Sequence, residues 1–180
     1  MTLLILGVLL WSLPHLFKRL APTARANMGD KAKGPIALIL LASIVLMVLG
    51  YRAWDGTFYW GRSPAMTGIN NLLMLVSVYF FAVSGMKTKL AQYIRHPMLW
   101  GVVLWSVAHL LVNGDTPSFV LFGGLLIWSF LEMTLINAQT AWEKPGPAPV
   151  GKEIGALAGG VLVYGAITLI HSWLGYNPFG

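Results

Sequence analysis

Six apolar segments, each long enough or nearly long enough to cross a bilayer, decide what this chain can become. They run over residues 2–17, 35–51, 68–86, 97–113, 117–138 and 155–174 of a 180-residue sequence. The ~30 Å hydrocarbon layer takes about 20 helical residues, and inside it each backbone N–H and C=O must find its partner within the protein. Strands would need the alternation of a barrel, which these runs lack. The composition agrees, with 57% of residues hydrophobic and 10% charged, far from the balance of a soluble domain. The expected fold is all-α: a polytopic membrane protein of six transmembrane helices, one integral-membrane domain over residues 1–180.

The formal charge of +6 invites a nucleic-acid reading, but its distribution argues for topology. Lys18, Arg19, Arg25, Lys31 and Lys33 fall in the first loop, Lys87, Lys89 and Arg95 in the third, and Lys144 and Lys152 in the fifth. Only Arg52 and Arg62 fall in the second, and none in the fourth. Ten against two is a strong positive-inside bias. It puts the odd loops in the cytoplasm of a bacterial inner membrane and both termini outside. Membrane lipid is then the expected environment, with no nucleic-acid partner. The first segment has no basic residue before it and is followed by Lys18 and Arg19, as in a retained anchor rather than a cleaved signal. Without cysteine, disulfides and thiolate chemistry are excluded.

The loops and polar positions suggest packing roles. The second loop holds Tyr51, Trp54, Phe58, Tyr59 and Trp60, a density that matches an interfacial aromatic belt. Asn70, Asn71, Ser77 and Ser84 in the third segment read as interhelical contacts, and Gly155, Gly159, Gly160 and Gly165 in the sixth as sites of close backbone approach. The fourth loop is a tight turn. Asp115 within it reads as the N-cap of the fifth segment.

A decapeptide recurs. Residues 7–16 are GVLLWSLPHL and residues 101–110 are GVVLWSVAHL, identical at seven positions. In each copy Gly, Trp and His are spaced i, i+4, i+8 and so share one helical stripe. The two copies lie in oppositely directed segments, as two inverted three-helix halves would place them. Ionisable groups inside hydrocarbon are costly and point to function, so the four histidines are the first candidates. His15 lies ~4.5 Å along the helix from Lys18, and His96 opens the fourth segment at the same face. His109 lies ~20 Å further out, and His171 precedes the outer end of the sixth segment. They sort into an inner pair, His15 and His96, and an outer pair, His109 and His171. Two imidazoles at one depth on neighbouring helices suit the axial positions of a haem iron. Trp105, one turn before His109, would offer a flat wall beside it. The alternative is that each histidine only hydrogen-bonds a backbone carbonyl or hydroxyl across helices.

No nonhaem metal signature of the H-x-x-x-H or H-E-x-x-H kind is present. Glu132 is the one carboxylate inside an apolar run. Its depth places it in the cytoplasmic half, where an ion pair with Arg95 is expected and a proton relay or substrate contact is the sharper possibility.

The run RHPMLWGVVLWSVAHLLVNGD at 95–115, LFGG at 121–124 and HSWLG at 171–175 resemble the NnrU family of bacterial membrane proteins, over almost the whole chain. That family is associated with denitrification genes, and it is distantly similar to the plant 15-cis-ζ-carotene isomerase, a haem b membrane enzyme with histidine ligands. The resemblance implies a haem b site. It also implies either cis–trans isomerisation of an apolar polyene or a redox role linked to nitric oxide, with His109 and His171 as the depth-based choice of ligands. Two other readings stay open. One is a non-catalytic assembly or transport factor that meets a respiratory or reductase subunit. The other is a membrane methyltransferase, suggested by Arg95-His96-Pro97 and Gly101 but lacking that class's Gly-x-Gly and paired glutamates.

Overall fold

The computed structural model describes all 180 residues. Its helices are α1 (Thr2–Leu20), α2 (Pro22–Asn27), α3 (Lys33–Arg52), α4 (Pro64–Met86), α5 (Pro97–Val112), α6 (Thr116–Gln139) and α7 (Val150–Trp173). Six of them are the six apolar segments, and the all-α polytopic fold stands. Five have 19 to 24 residues and are long and apolar enough to cross a membrane. The sixth, α5, has 16 residues, or ~24 Å at 1.5 Å each. α2 was not expected: PTARAN reads as a polar turn, yet Pro22 at its first position starts a short helix with no buried residue. Leu38, Leu41, Leu162 and Leu169 are exposed, the surface that lipid covers.

Helix ends follow local chemistry. The Ser63 hydroxyl accepts from the Met66 N–H at 3.3 Å with Pro64 at N1, and Asp115 Oδ1 accepts from the Ser118 N–H at 2.8 Å, so Asp115 is the cap its position suggested. α6 begins with a wide π-type turn over Phe119–Gly123. α4 ends on Lys87 in the left-handed region, φ 51°, a position where glycine is usual.

The helices gather into two compact units that are not the two sequence halves. One comprises Met1–Tyr59 and Gly114–Thr140, the other Trp60–Asn113 and Ala141–Gly180. The first therefore holds α1, α2, α3 and α6, and the second holds α4, α5 and α7. In the first unit α1 packs along α3 and against α6. In the second α4 is central, with α5 and α7 each packed on it.

The repeated decapeptide builds the same joint in each unit. A Cβ on Gly7 would stand 2.7 Å from the Met47 backbone N and 3.0 Å from the Ser43 carbonyl. On Gly101 it would stand 3.0 Å from the Phe81 ring and 3.1 Å from the Ser77 carbonyl. Each glycine thus lets its helix settle on a serine and the large residue four positions later, and only a hydrogen side chain fits such approach. Ser43 and Ser77 are buried, and Ser77 Oγ donates to the Gly101 carbonyl at 2.7 Å.

Hydrogen bonds within each unit also group the loops by side. In the first, Gln139 Nε2 donates to the Arg19 carbonyl at 2.7 Å, joining loop five to loop one. The Thr116 N–H donates to the Thr57 carbonyl at 3.0 Å beside a two-stranded ladder of β1 (Phe58–Trp60) and β2 (Gly114–Asp115), joining loops two and four. In the second, the Lys89 N–H donates to Glu153 Oε1 at 2.6 Å, and Arg62 Nη1 to the Asn177 carbonyl at 2.6 Å. Odd loops thus meet odd loops, and loop two meets the C-terminal segment, as six alternating crossings require.

Candidate functional site

Each copy of the repeat holds its histidine in the same way. His15 Nδ1 donates to the Trp11 carbonyl at 2.7 Å, and His109 Nδ1 to the Trp105 carbonyl at 2.9 Å. The imidazole lies against the indole four residues earlier, with ring centroids 4.6 Å apart for Trp11 and His15 and 5.1 Å for Trp105 and His109. His171 does likewise with the Ile167 carbonyl at 2.8 Å. A carbonyl can only accept, so Nδ1 carries the proton in all three. In the neutral ring the lone pair is then on Nε2, the tautomer in which a backbone-anchored histidine ligates a metal.

The outer histidines share the second unit. His109 is half-buried near the C-terminal end of α5, and His171 is exposed near that of α7. Side chains on the linking segments tie these ends together. Trp60 Nε1 donates to the Leu110 carbonyl at 3.1 Å, and Asn71 Nδ2 to the Pro178 carbonyl at 3.0 Å. The Asn70 amide satisfies both its atoms when its nitrogen donates to the Ala108 carbonyl at 2.9 Å. Asn113 Nδ2 caps the turn by donating to the His109 carbonyl at 2.9 Å. Because α5 and α7 pack on α4 rather than along each other, the two imidazoles belong to helices that are neighbours of a common third.

The expected inner pair is divided between the units. His96 precedes α5, its carbonyl accepting from the Trp100 N–H at 3.0 Å. His15 sits in the first unit, where a second cluster forms around it. Trp128 of α6 meets both members of the repeat pair, with centroids 5.6 Å from Trp11 and 5.1 Å from His15. One turn on from Trp128, Glu132 is buried and pairs with Arg19, whose Nε lies 3.4 Å from Oε1. The expected pairing of Glu132 with Arg95 is thereby corrected: α1 packs on α6 within the first unit and ends on the arginine that reaches the carboxylate. Glu132 Oε2, Trp11 Nε1 and Trp128 Nε1 are buried without a hydrogen-bond partner, and such atoms are costly unless something completes them. Trp128 and Arg19 were not among the expected site residues. The signal for Trp128 was its i, i+4 spacing from Glu132.

Beyond Arg19 an open cleft of about 680 Å³ lies between the end of α1, α2, the start of α3 and the end of α6, lined by Lys18, Arg19, Arg25, Asp30 and Lys33 among others. No group of three or more His, Asp or Glu side chains is arranged to hold a metal ion. An iron held in a macrocycle needs only one or two imidazoles.

No curated protein and no solved structure matches the chain. The family described as NnrU protein matches over residues 3–178. That span takes in both copies of the decapeptide, all four histidines and the Arg19–Glu132 pair. The chain belongs to the NnrU family.

Proposed function

We propose that this NnrU-family protein binds haem b in the bacterial inner membrane, with its odd loops in the cytoplasm and both termini outside. In this reading His109 and His171 would hold the iron, with Trp105 beside His109. The observation that carries it is the shared anchoring of the two imidazoles, each Nδ1–H given to the carbonyl four residues back. The two rings stand on helices of one unit whose ends are cross-tied by Trp60, Asn70 and Asn71. Bound haem b would supply one-electron chemistry, tuned by the imidazoles that would hold it. The protein's part is to fix the ring orientations. His171 lies on exposed surface at helix α7, so a substrate arriving from lipid can reach it. This favours cis–trans isomerisation of an apolar polyene as the activity. A redox role linked to nitric oxide would use the same two imidazoles.

The test is the absorption spectrum of detergent-purified protein after expression with ample haem. A Soret band that shifts on reduction is expected, weakened or lost in His109→Ala and in His171→Ala while far-ultraviolet dichroism stays helical. Haem-loaded protein should then convert a cis-polyene in micelles. Porphyrin-free protein, or a band untouched by both variants, refutes the ligand assignment.

A further inference from the structure

We propose that the cleft at the end of α1 binds the phosphate of an anionic phospholipid headgroup. Four cations line it, Lys18, Arg19, Arg25 and Lys33, against one carboxylate, Asp30. Asp30 is already engaged, its Oδ1 2.8 Å from Lys33 Nζ, so the remaining charge is strongly positive. Arg19 is the built element. Its Nε is held by the buried Glu132 and its backbone carbonyl by Gln139, so a fixed guanidinium lines the cleft. Planar forks of this kind recognise phosphate oxygens. Arg25 is steadied in turn by its Nη1 contact to the Gly29 carbonyl at 3.3 Å.

The setting selects the source of the phosphate. The cleft lies where α1 and α6 both end, at the level where a bilayer's headgroups begin. Leu20 and Met28, next in sequence to the lining residues Arg19 and Gly29, are 65% and 49% exposed, apolar groups that can dip among acyl chains. Basic recesses at the ends of membrane helices hold anionic headgroups through such a combination of charge and apolar rim. A soluble phosphate compound would use the cations and leave the rim idle.

Binding of short-chain phosphatidylglycerol to the purified full-length protein, followed by native mass spectrometry and thermal shift, tests this. Phosphatidylcholine and inorganic phosphate are run alongside. Phosphatidylglycerol should bind and raise the melting temperature, and phosphatidylcholine should not. The double variant Arg25→Gln/Lys33→Gln, whose side chains make no buried contact, should weaken binding about 25-fold, about five-fold for each charge. The variant Lys144→Gln/Lys152→Gln removes the same net charge on exposed residues of the second unit and should bind as the parent does. If inorganic phosphate protects as well as the lipid, the anion site stands and its ligand is soluble. Equal losses in both double variants, or no anion binding at all, overturn the proposal.

Discussion

Removing Arg19 should harm this protein more than removing Glu132, although the two form one ion pair. Two unit charges 3.4 Å apart attract by ~5 kcal/mol at an effective dielectric of 20. The side chains are 20% and 11% exposed, between the surface case and full burial. A double-mutant cycle should therefore return a coupling of about 2–3 kcal/mol, above the ~0–1 kcal/mol of exposed pairs. The single variants should differ. Arg19→Met leaves a carboxylate buried with no cation, and its Oε2 already has no partner, so a loss of ~3–5 kcal/mol is expected. Glu132→Gln leaves a guanidinium at the edge of a cleft, where it can turn outward, and should cost ~1–2 kcal/mol. The double variant should lose ~2–4 kcal/mol, less than the sum of the two single losses by the amount of the coupling. Unfolding in mixed micelles with a denaturing detergent, followed by tryptophan fluorescence, reads this directly, because Trp128 lies one turn from Glu132. Equal losses in the two single variants, or a coupling under ~0.5 kcal/mol, would refute the reasoning.

Glycine substitutions should separate tight joints from open ones. A Cβ at Gly50 would strike the backbone of Leu3 and Leu4, whereas Gly159 has nothing within 4 Å. Gly50→Ala should then lose ~1–3 kcal/mol by overpacking, and Gly159→Ala should be neutral or gain up to ~1 kcal/mol. Both are measured by the same unfolding assay. The chain has no native cysteine, so single cysteines report topology without background. In right-side-out cells an impermeant maleimide should label Phe58→Cys and spare Lys31→Cys; the reverse pattern would invert the assigned orientation. The haem-ligand variants described above complete the set.

Much of the architecture is legible in the sequence because membrane insertion leaves so few choices. Six apolar runs, loop charge and the cap at Asp115 are local signals, read from residues a few positions apart. The repeat was also legible down to its geometry: Trp11 with His15 and Trp105 with His109 adopt the same anchoring because i, i+4 spacing dictates it. Depth and charge were not enough to choose Arg19 over Arg95 for Glu132. Both arginines end segments at the same face, and which helix borders α6 is decided by tertiary packing. Trp128 escaped for a related reason, since a tryptophan in an apolar run looks like any core residue until its neighbours are known. The pairing of the outer histidines' helices through α4 was equally hidden.

The discontinuous make-up of the two units bears on how the chain is made. The first unit closes only when Glu132 meets Arg19, 113 residues earlier. A nascent chain stopped near residue 113 would hold α1 and α3 without their third partner, and α4 and α5 without α7. Neither cluster can mature in order of synthesis, so Arg19 must wait near the headgroups while three more helices enter the bilayer. Long-range closure of this kind is slow and leaves polar groups uncovered meanwhile. Ribosome-stalled intermediates should therefore be the stage at which this protein is most vulnerable to membrane proteases.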